Sequence, residues 1–179
     1  HRTHVQRQVG CVQHCTYCLR PAIRGRSRSY AVEQRMAEAK GLGETQELVL
    51  VAQDTTRYGE DTGRNAFVEL LQKLSGLDNI CHIRLLYCYP EVVTDELIRE
   101  LRDNPKLIKY LDIPLQHSED RILKLMGRRG SRAEYHALLG TLRREIPGTP
   151  LRTTFIAPLP TPPAQRPAPP TSPTRPSTG

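Results

Sequence analysis

GCVQHCTYC, Gly10 to Cys18, places three cysteines within eight residues in the spacing C-x-x-x-C-x-x-C. Three thiolates on one tight loop can each take one iron of a cubane 4Fe-4S cluster, which leaves the fourth iron open to a small molecule. A zinc site would need a fourth ligand, with His14 or Cys81 as candidates. A redox dithiol at Cys15 and Cys18 also fits the spacing. A c-type haem requires His directly after the second cysteine of a C-x-x-C pair, and Leu19 stands there instead.

The two other cysteines, Cys81 and Cys88, lie far from this loop in apolar sequence and read as small core residues. Five cysteines, an odd number, three of them clustered, do not make a secreted disulfide framework. A reducing, cytoplasmic setting is expected. No apolar run approaches the roughly 20 residues of a membrane span and no signal peptide opens the chain, so no membrane partner is expected. The 179 residues suffice for one domain with a sizeable core, and a net charge of +7 favours a phosphate- or carboxylate-rich partner.

Outward from the cysteines, strand-like and helix-like segments alternate. Glu47–Ala52, His82–Tyr89, Tyr110–Leu115 and Leu151–Ile156 are short, apolar and rich in strand formers, as in strands covered on both faces. Between them, Asn65 caps a helix with Phe67, Leu70, Leu71 and Leu74 on one face. Thr94 precedes a second helix with Leu97, Ile98 and Leu101 inward. Ser131 and Glu134 form a capping-box pair for a third. Further helices are predicted from Ala31 to about Leu42 and from a Ser118 cap to Met126. This order predicts an α/β fold with a parallel sheet and right-handed crossovers, either an open doubly wound sheet or a barrel. Both place chemistry at the carboxyl ends of the strands. The residues to inspect are therefore Gln53, Asp54, Tyr89, Pro90, Gln116 and His117.

After Ile156 the composition changes. Residues 157–179 hold nine of the fifteen prolines and no acidic residue, and read as a disordered or polyproline-like tail. Residues 1–9 are polar and atypical, too polar to predict a buried strand.

Tyr17, just before the last cysteine, completes C-x-x-x-C-x-aromatic-C, and with it the chain resembles the radical S-adenosylmethionine superfamily. The resemblance implies a 4Fe-4S cluster on Cys11, Cys15 and Cys18, with S-adenosylmethionine on the open iron. It also implies a partial parallel (βα) barrel, here residues 10–156. CTYCLRPAIRGRSRS, Cys15 to Ser29, resembles the cysteine loop of the methylthiotransferases. Leu48–Gly59, Ile83–Pro90, Lys109–His117 and Leu123–Gly130 resemble the branch that modifies an aspartate of a small-subunit ribosomal protein, rather than the branch that modifies tRNA.

That resemblance implies a methylthio group installed on an aspartate β-carbon, a ribosomal protein substrate, an electron donor such as flavodoxin or ferredoxin, and a monomer. It also implies a second 4Fe-4S cluster on an N-terminal domain and a C-terminal TRAM domain, both outside these 179 residues. Gln53 and Asp54 are the candidates for the cofactor's amino group, and Gln116 and His117 for cofactor or substrate. For Asp54 the competing reading is a turn-capping carboxylate, and for His117 a satisfied structural histidine. Arg24, Arg26, Arg28, Arg128 and Arg129 are basic patches that either grip carboxylates or RNA or are solvated surface charge. A non-catalytic zinc module is the alternative from another class.

Family character fades at both ends. The Gly- and acid-containing turn that follows the last strand in the family reads Ala157-Pro158-Leu159-Pro160 here. The expectation is a truncated or frame-shifted core, incomplete at its C-terminal end, that binds a cluster without completing methylthiolation.

Overall fold

The structure, a computed structural model, describes residues 1–156, so the expectation for 157–179 lies outside the described residues. The elements in chain order are β1 (Arg2–Gln6), β2 (Gln8–Val9), α1 (Arg20–Arg24), β3 (Arg28–Ser29), α2 (Val32–Lys40), β4 (Thr45–Val51), α3 (Phe67–Ser75), β5 (Ile80–Leu85), α4 (Asp95–Asp103), β6 (Leu111–Asp112), α5 (Asp120–Leu125), α6 (Arg132–Glu145) and β7 (Leu151–Arg152).

Strand order decides between the two architectures left open by the alternation. β4 pairs in parallel with β1, from Arg2 opposite Glu47 to Gln6 opposite Val51, and with β5, from Thr45 opposite Ile80 to Leu50 opposite Leu85. The ladder continues from β5 through Ile83, which donates to Lys106 C=O (2.8 Å), and through Cys88, which donates to Asp112 C=O (2.8 Å). β6 then pairs in parallel with β7. The order β1-β4-β5-β6-β7 rises steadily along the chain. A doubly wound sheet needs a point where the order reverses, and this wall has none among the described residues. It is the wall of a partial parallel barrel.

The first strand corrects the sequence reading of the N-terminal segment. Only Val5 (1% exposed) is a buried apolar residue of β1, so the hydrophobic pattern is almost silent. An edge strand needs one apolar contact and a full backbone ladder, and β4 supplies the ladder.

The core lies between this wall and the helices. Leu48 and Leu50 of β4 and Ile83 and Leu85 of β5 pack with Phe67, Leu70, Leu71 and Leu74 of α3 and Leu97, Ile98 and Leu101 of α4. Each such side chain contributes roughly 2 kcal/mol by leaving water. The wall's other face is mixed: Val49 is buried there, as expected of strands covered on both faces, but charged residues flank it. Glu47 sits between Arg2 (2.9 Å) and Arg84 (2.5 Å). Beside them runs an open groove of about 370 Å³ lined by Arg2, His4, Val49, Arg84, Leu86 and Tyr110.

The predicted caps at Thr94 and Ser131 hold, while Ala66 takes the cap position of α3 and Asn65 bonds its first turn from one residue before. Asn65 Oδ1 accepts from Phe67 N–H (3.0 Å), Thr94 Oγ1 from Leu97 N–H (3.2 Å) and Ser131 Oγ from Glu134 N–H (3.3 Å). The expected Ser118 cap is corrected: α5 starts at Asp120, and His117 Nδ1 accepts from Glu119 N–H (3.0 Å) instead. Cys88 is fully buried, but Cys81 is exposed. Cys81 shares the parity of Ile83 and Leu85, but Ile80 before it is fully buried and the register with β4 skips from Ile80 to His82, so the inward phase of β5 breaks at Cys81.

Candidate cluster and cofactor site

The cysteine loop has no regular structure and is held at both ends. β2 and β3 pair antiparallel, Gln8 opposite Ser29 and Val9 opposite Arg28, and close the base of the segment that carries it. Cys11 N–H donates to Gly25 C=O (3.2 Å). Gly10 makes that approach possible, since at its φ of +76° a Cβ would lie 2.1 Å from Arg26 O. At the other end Thr16 N–H donates to Met126 C=O (3.0 Å) and Thr16 Oγ1 to Leu125 C=O (2.9 Å). The Arg-Gly-Arg segment and the end of α5 thus grip the loop from two sides.

Within it, Cys11 and Cys15 are buried, Cys18 is half-buried and all three are free thiols. Backbone N–H groups point at two of the sulfurs, Gln13 N–H at Cys11 Sγ and Arg20 N–H at Cys18 Sγ, each 3.4 Å. Burial pushes the Cys11 thiol up, against the pull of the Gln13 N–H. Tyr17 is likewise pushed up, by burial and then by Cys15. Such N–H groups suit a thiolate, and soft thiolates suit iron–sulfur clusters. A cubane takes each thiolate on a different iron, and three free thiols on one eight-residue loop supply that set.

Gln53 and Asp54 follow β4. Gln53 is half-buried, and its Oε1 is buried without a hydrogen-bond partner. An orphaned acceptor of this kind costs about 1–3 kcal/mol, and a donor group, such as the amino group of a cofactor, would relieve that cost. Asp54 is already engaged. Its Oδ1 accepts from Thr56 N–H (3.2 Å) and Thr56 Oγ1 (2.9 Å), capping the 3-10 turn Thr55–Arg57, and its Oδ2 faces Arg57 Nε at 3.1 Å. The turn-capping reading of Asp54 therefore describes its geometry. Burial raises its pKa while Thr56 and Arg57 oppose the shift, and its charge reaches Cys11.

Gln116 follows β6 in a left-handed conformation, φ +71°, held by its N–H to Thr154 C=O and by Ile156 N–H to its own C=O (2.9 Å each). The neighbouring His117 spends Nδ1 on Glu119, which is the structural use of that ring. Among the described residues no hydrogen bond ties either one to the cysteine loop.

Other residues near the site carried little or no sequence signal. Arg128 was one of five arginines read as basic patches. Arg24, Arg26, Arg28 and Arg129 are exposed, whereas Arg128 is 7% exposed. Its guanidinium lies 4.4 Å from the Tyr89 ring centre, donates to Pro114 C=O (2.8 Å) and stands 4.0 Å from Glu91. Burial and then Cys15 push Tyr89 up. Tyr87, left-handed at φ +57°, offers its C=O to Thr55 N–H (3.0 Å). Tyr87 and Gln116 are both strained residues just past a strand, where function tolerates strain. Arg7, from the stretch read as uninformative, is fully buried over Phe67 at 4.3 Å.

Comparison with known proteins agrees with this arrangement. The sequence model of the Radical SAM superfamily matches residues 5–165. The chain is similar to "Ribosomal protein uS12 methylthiotransferase RimO" of Lachnoclostridium phytofermentans, 50% identical over 154 residues, covering 84% of this chain and 35% of that protein. The RimO of Clostridium botulinum is 48% identical over 154 residues, covering 84% of this chain and 34% of that protein. The chain spans about a third of the length of these curated relatives. Among solved structures, the cobalamin-dependent S-adenosylmethionine radical enzyme OxsB superposes with a TM-score of 0.62 at 12% identity, covering 86% of this chain and 23% of that one, a likeness of fold. The parallel barrel wall, the three-cysteine loop across its end and the family match together show that this chain belongs to the radical SAM superfamily, whose cofactors are a 4Fe-4S cluster and S-adenosylmethionine.

Proposed function

We propose that this chain is the cluster- and cofactor-binding core of a methylthiotransferase whose substrate is an aspartate of ribosomal protein uS12. The observation that carries the reading is the loop C-x-x-x-C-x-Y-C, Cys11 to Cys18, with two thiols buried and two backbone N–H groups aimed at sulfur. The RimO relatives, at 48–50% identity, support the substrate assignment. When bound, the cluster and S-adenosylmethionine supply radical hydrogen abstraction.

The chain's own residues do the rest. Cys11, Cys15 and Cys18 hold the cluster and leave one iron free. Gln53 Oε1 takes a donor of the cofactor. Asp54 fixes the turn after β4 beside the loop. Gln116 and His117 border the cofactor from β6, with His117 in a supporting role. An acidic one-electron carrier such as flavodoxin or ferredoxin supplies the reducing electron, in the cytoplasm, and the chain acts as a monomer with further family domains delivering sulfur. The radical core takes in β1 (Arg2–Gln6) as its first strand and runs through Ile156.

Anaerobic reconstitution with iron and sulfide, followed by EPR of the reduced protein, tests this. A 4Fe-4S signal that changes shape on adding S-adenosylmethionine is the expected result. Zinc without sulfide, or a cluster signal indifferent to S-adenosylmethionine, would overturn the reading.

A further inference from the structure

The segment Leu123–Gly130, LKLMGRRG, reads in the sequence as a basic patch, but its geometry is that of a clamp. We propose that the turn Leu125–Arg128 is a positioning device that presets the cysteine loop for cluster assembly, with Gly127 as its critical residue. This rests on the cluster reading above.

Three observations carry it. First, both hydrogen-bond donors of Thr16, which stands between Cys15 and Cys18, are spent on carbonyls at the end of α5: N–H on the cap residue Met126 (3.0 Å) and Oγ1 on Leu125 (2.9 Å). A helix end leaves such carbonyls without intrahelical partners, so each side satisfies the other. Second, Gly127 lies against the loop's backbone. At its φ of +69° a Cβ would stand 2.5 Å from His14 O and 3.7 Å from the Cα of Cys15. A contact of 2.5 Å to a carbonyl cannot be relieved by a rotamer change, so the loop between Cys11 and Cys15 would have to move. Third, the clamp is anchored to the barrel. Arg128 N–H donates to Leu123 C=O (2.9 Å), while its side chain bonds Pro114 C=O after β6 and covers Tyr89 after β5. The loop's position is thereby referred to the carboxyl ends of two strands. Three iron ligands must be spaced to within a fraction of an ångström of what a rigid cluster accepts, and a loop without regular structure cannot do this unaided.

The test compares two glycines. Gly127→Ala adds left-handed strain and the collision with His14. Gly43→Ala adds the same strain at φ +63° with nothing within 4 Å of the new Cβ. Both chains are reconstituted with iron and sulfide, and iron and acid-labile sulfide per chain are measured beside far-UV circular dichroism. The clamp predicts that Gly127→Ala keeps its secondary structure but loses most of its cluster, while Gly43→Ala assembles it like the parent. Equal occupancy and unchanged EPR in Gly127→Ala, or an equal loss in Gly43→Ala, would overturn it. Amide exchange in the metal-free chain separates a failed clamp from a failed cluster reading. In Gly127→Ala the Thr16 amide should exchange roughly fivefold faster, the factor for one net backbone hydrogen bond. An unchanged Thr16 rate counts against the clamp whatever the metal content.

Discussion

Arg7 is the residue least at ease in this fold. Its guanidinium is fully buried, stacked over Phe67 and near Tyr58 (4.3 and 5.7 Å), and Nε and both Nη atoms have no hydrogen-bond partner. The aromatic faces offset about 2 kcal/mol of the desolvation, which costs more than that. Burial pulls its pKa from 12.5 down to about 9, with Cys88 and Asp54 opposing. Between those values the unfolded chain holds a proton the folded chain has shed, so stability rises with pH there and the full penalty stands below about 9. Arg7→Met should therefore raise stability at pH 7 by about 1–3 kcal/mol in thermal or urea unfolding. The gain should shrink as pH climbs past the folded value. A variant less stable than the parent at pH 7 would mean that the stacking outweighs the burial. Nothing in HRTHVQRQV signals any of this, because a charged residue among polar neighbours reads as exposed until the pairing of β1 with β4 carries it under the helices.

At the scale of elements, local chemistry was legible and long-range chemistry was not. Thr94 and Ser131 make their caps, and Asn65 bonds the first turn of α3, because a hydroxyl or amide needs to reach only two or three residues along. Ser131→Ala should cost about 1 kcal/mol, seen as a lower melting temperature with an unchanged fold. A loss below about 0.3 kcal/mol would show the cap to be idle, since peptide-host caps already lie near 0.5. Ser131 Oγ also donates to Glu134 Oε2 (2.9 Å). The cysteine spacing was readable for the same local reason, as were the helical stripes of α3 and α4. The bond from Thr16 to Leu125 spans 109 residues and leaves no mark in the neighbourhood of either. Arg128 looked like a surface charge because its stacking partner, Tyr89, belongs to another element. β1 was missed because an edge strand with one buried valine carries no alternation to detect. Even where β5 was foreseen, Cys81 was misplaced: alternation assumes one unbroken phase, and the inward side of β5 passes from Ile80 to Ile83 across Cys81.

Taken whole, the molecule is a wall with a loop across its end, and the two are joined at few points. The loop touches the Arg-Gly-Arg segment through Cys11 and Gly25 and the end of α5 through Thr16, and that end of α5 is tied in turn to the ends of β5 and β6 through Arg128. α3 and α4 instead pack on the far side of β4 and β5, in the leucine-rich core. A ligand that orders the loop stabilises what the loop touches, and a region already closed by fully buried leucines has little left to gain. Loading the chain with iron and sulfide should therefore slow amide exchange at residues 10–26 and 123–130 and leave α3 (67–75), β5 (80–85) and α4 (95–103) nearly unchanged. Removing the cluster with a chelator under oxidising conditions should reverse the pattern. Protection spread evenly over both regions would mean that loop and wall fold as one unit, and that the grip of α5 on Thr16 is one contact among many rather than the joint through which the site is set.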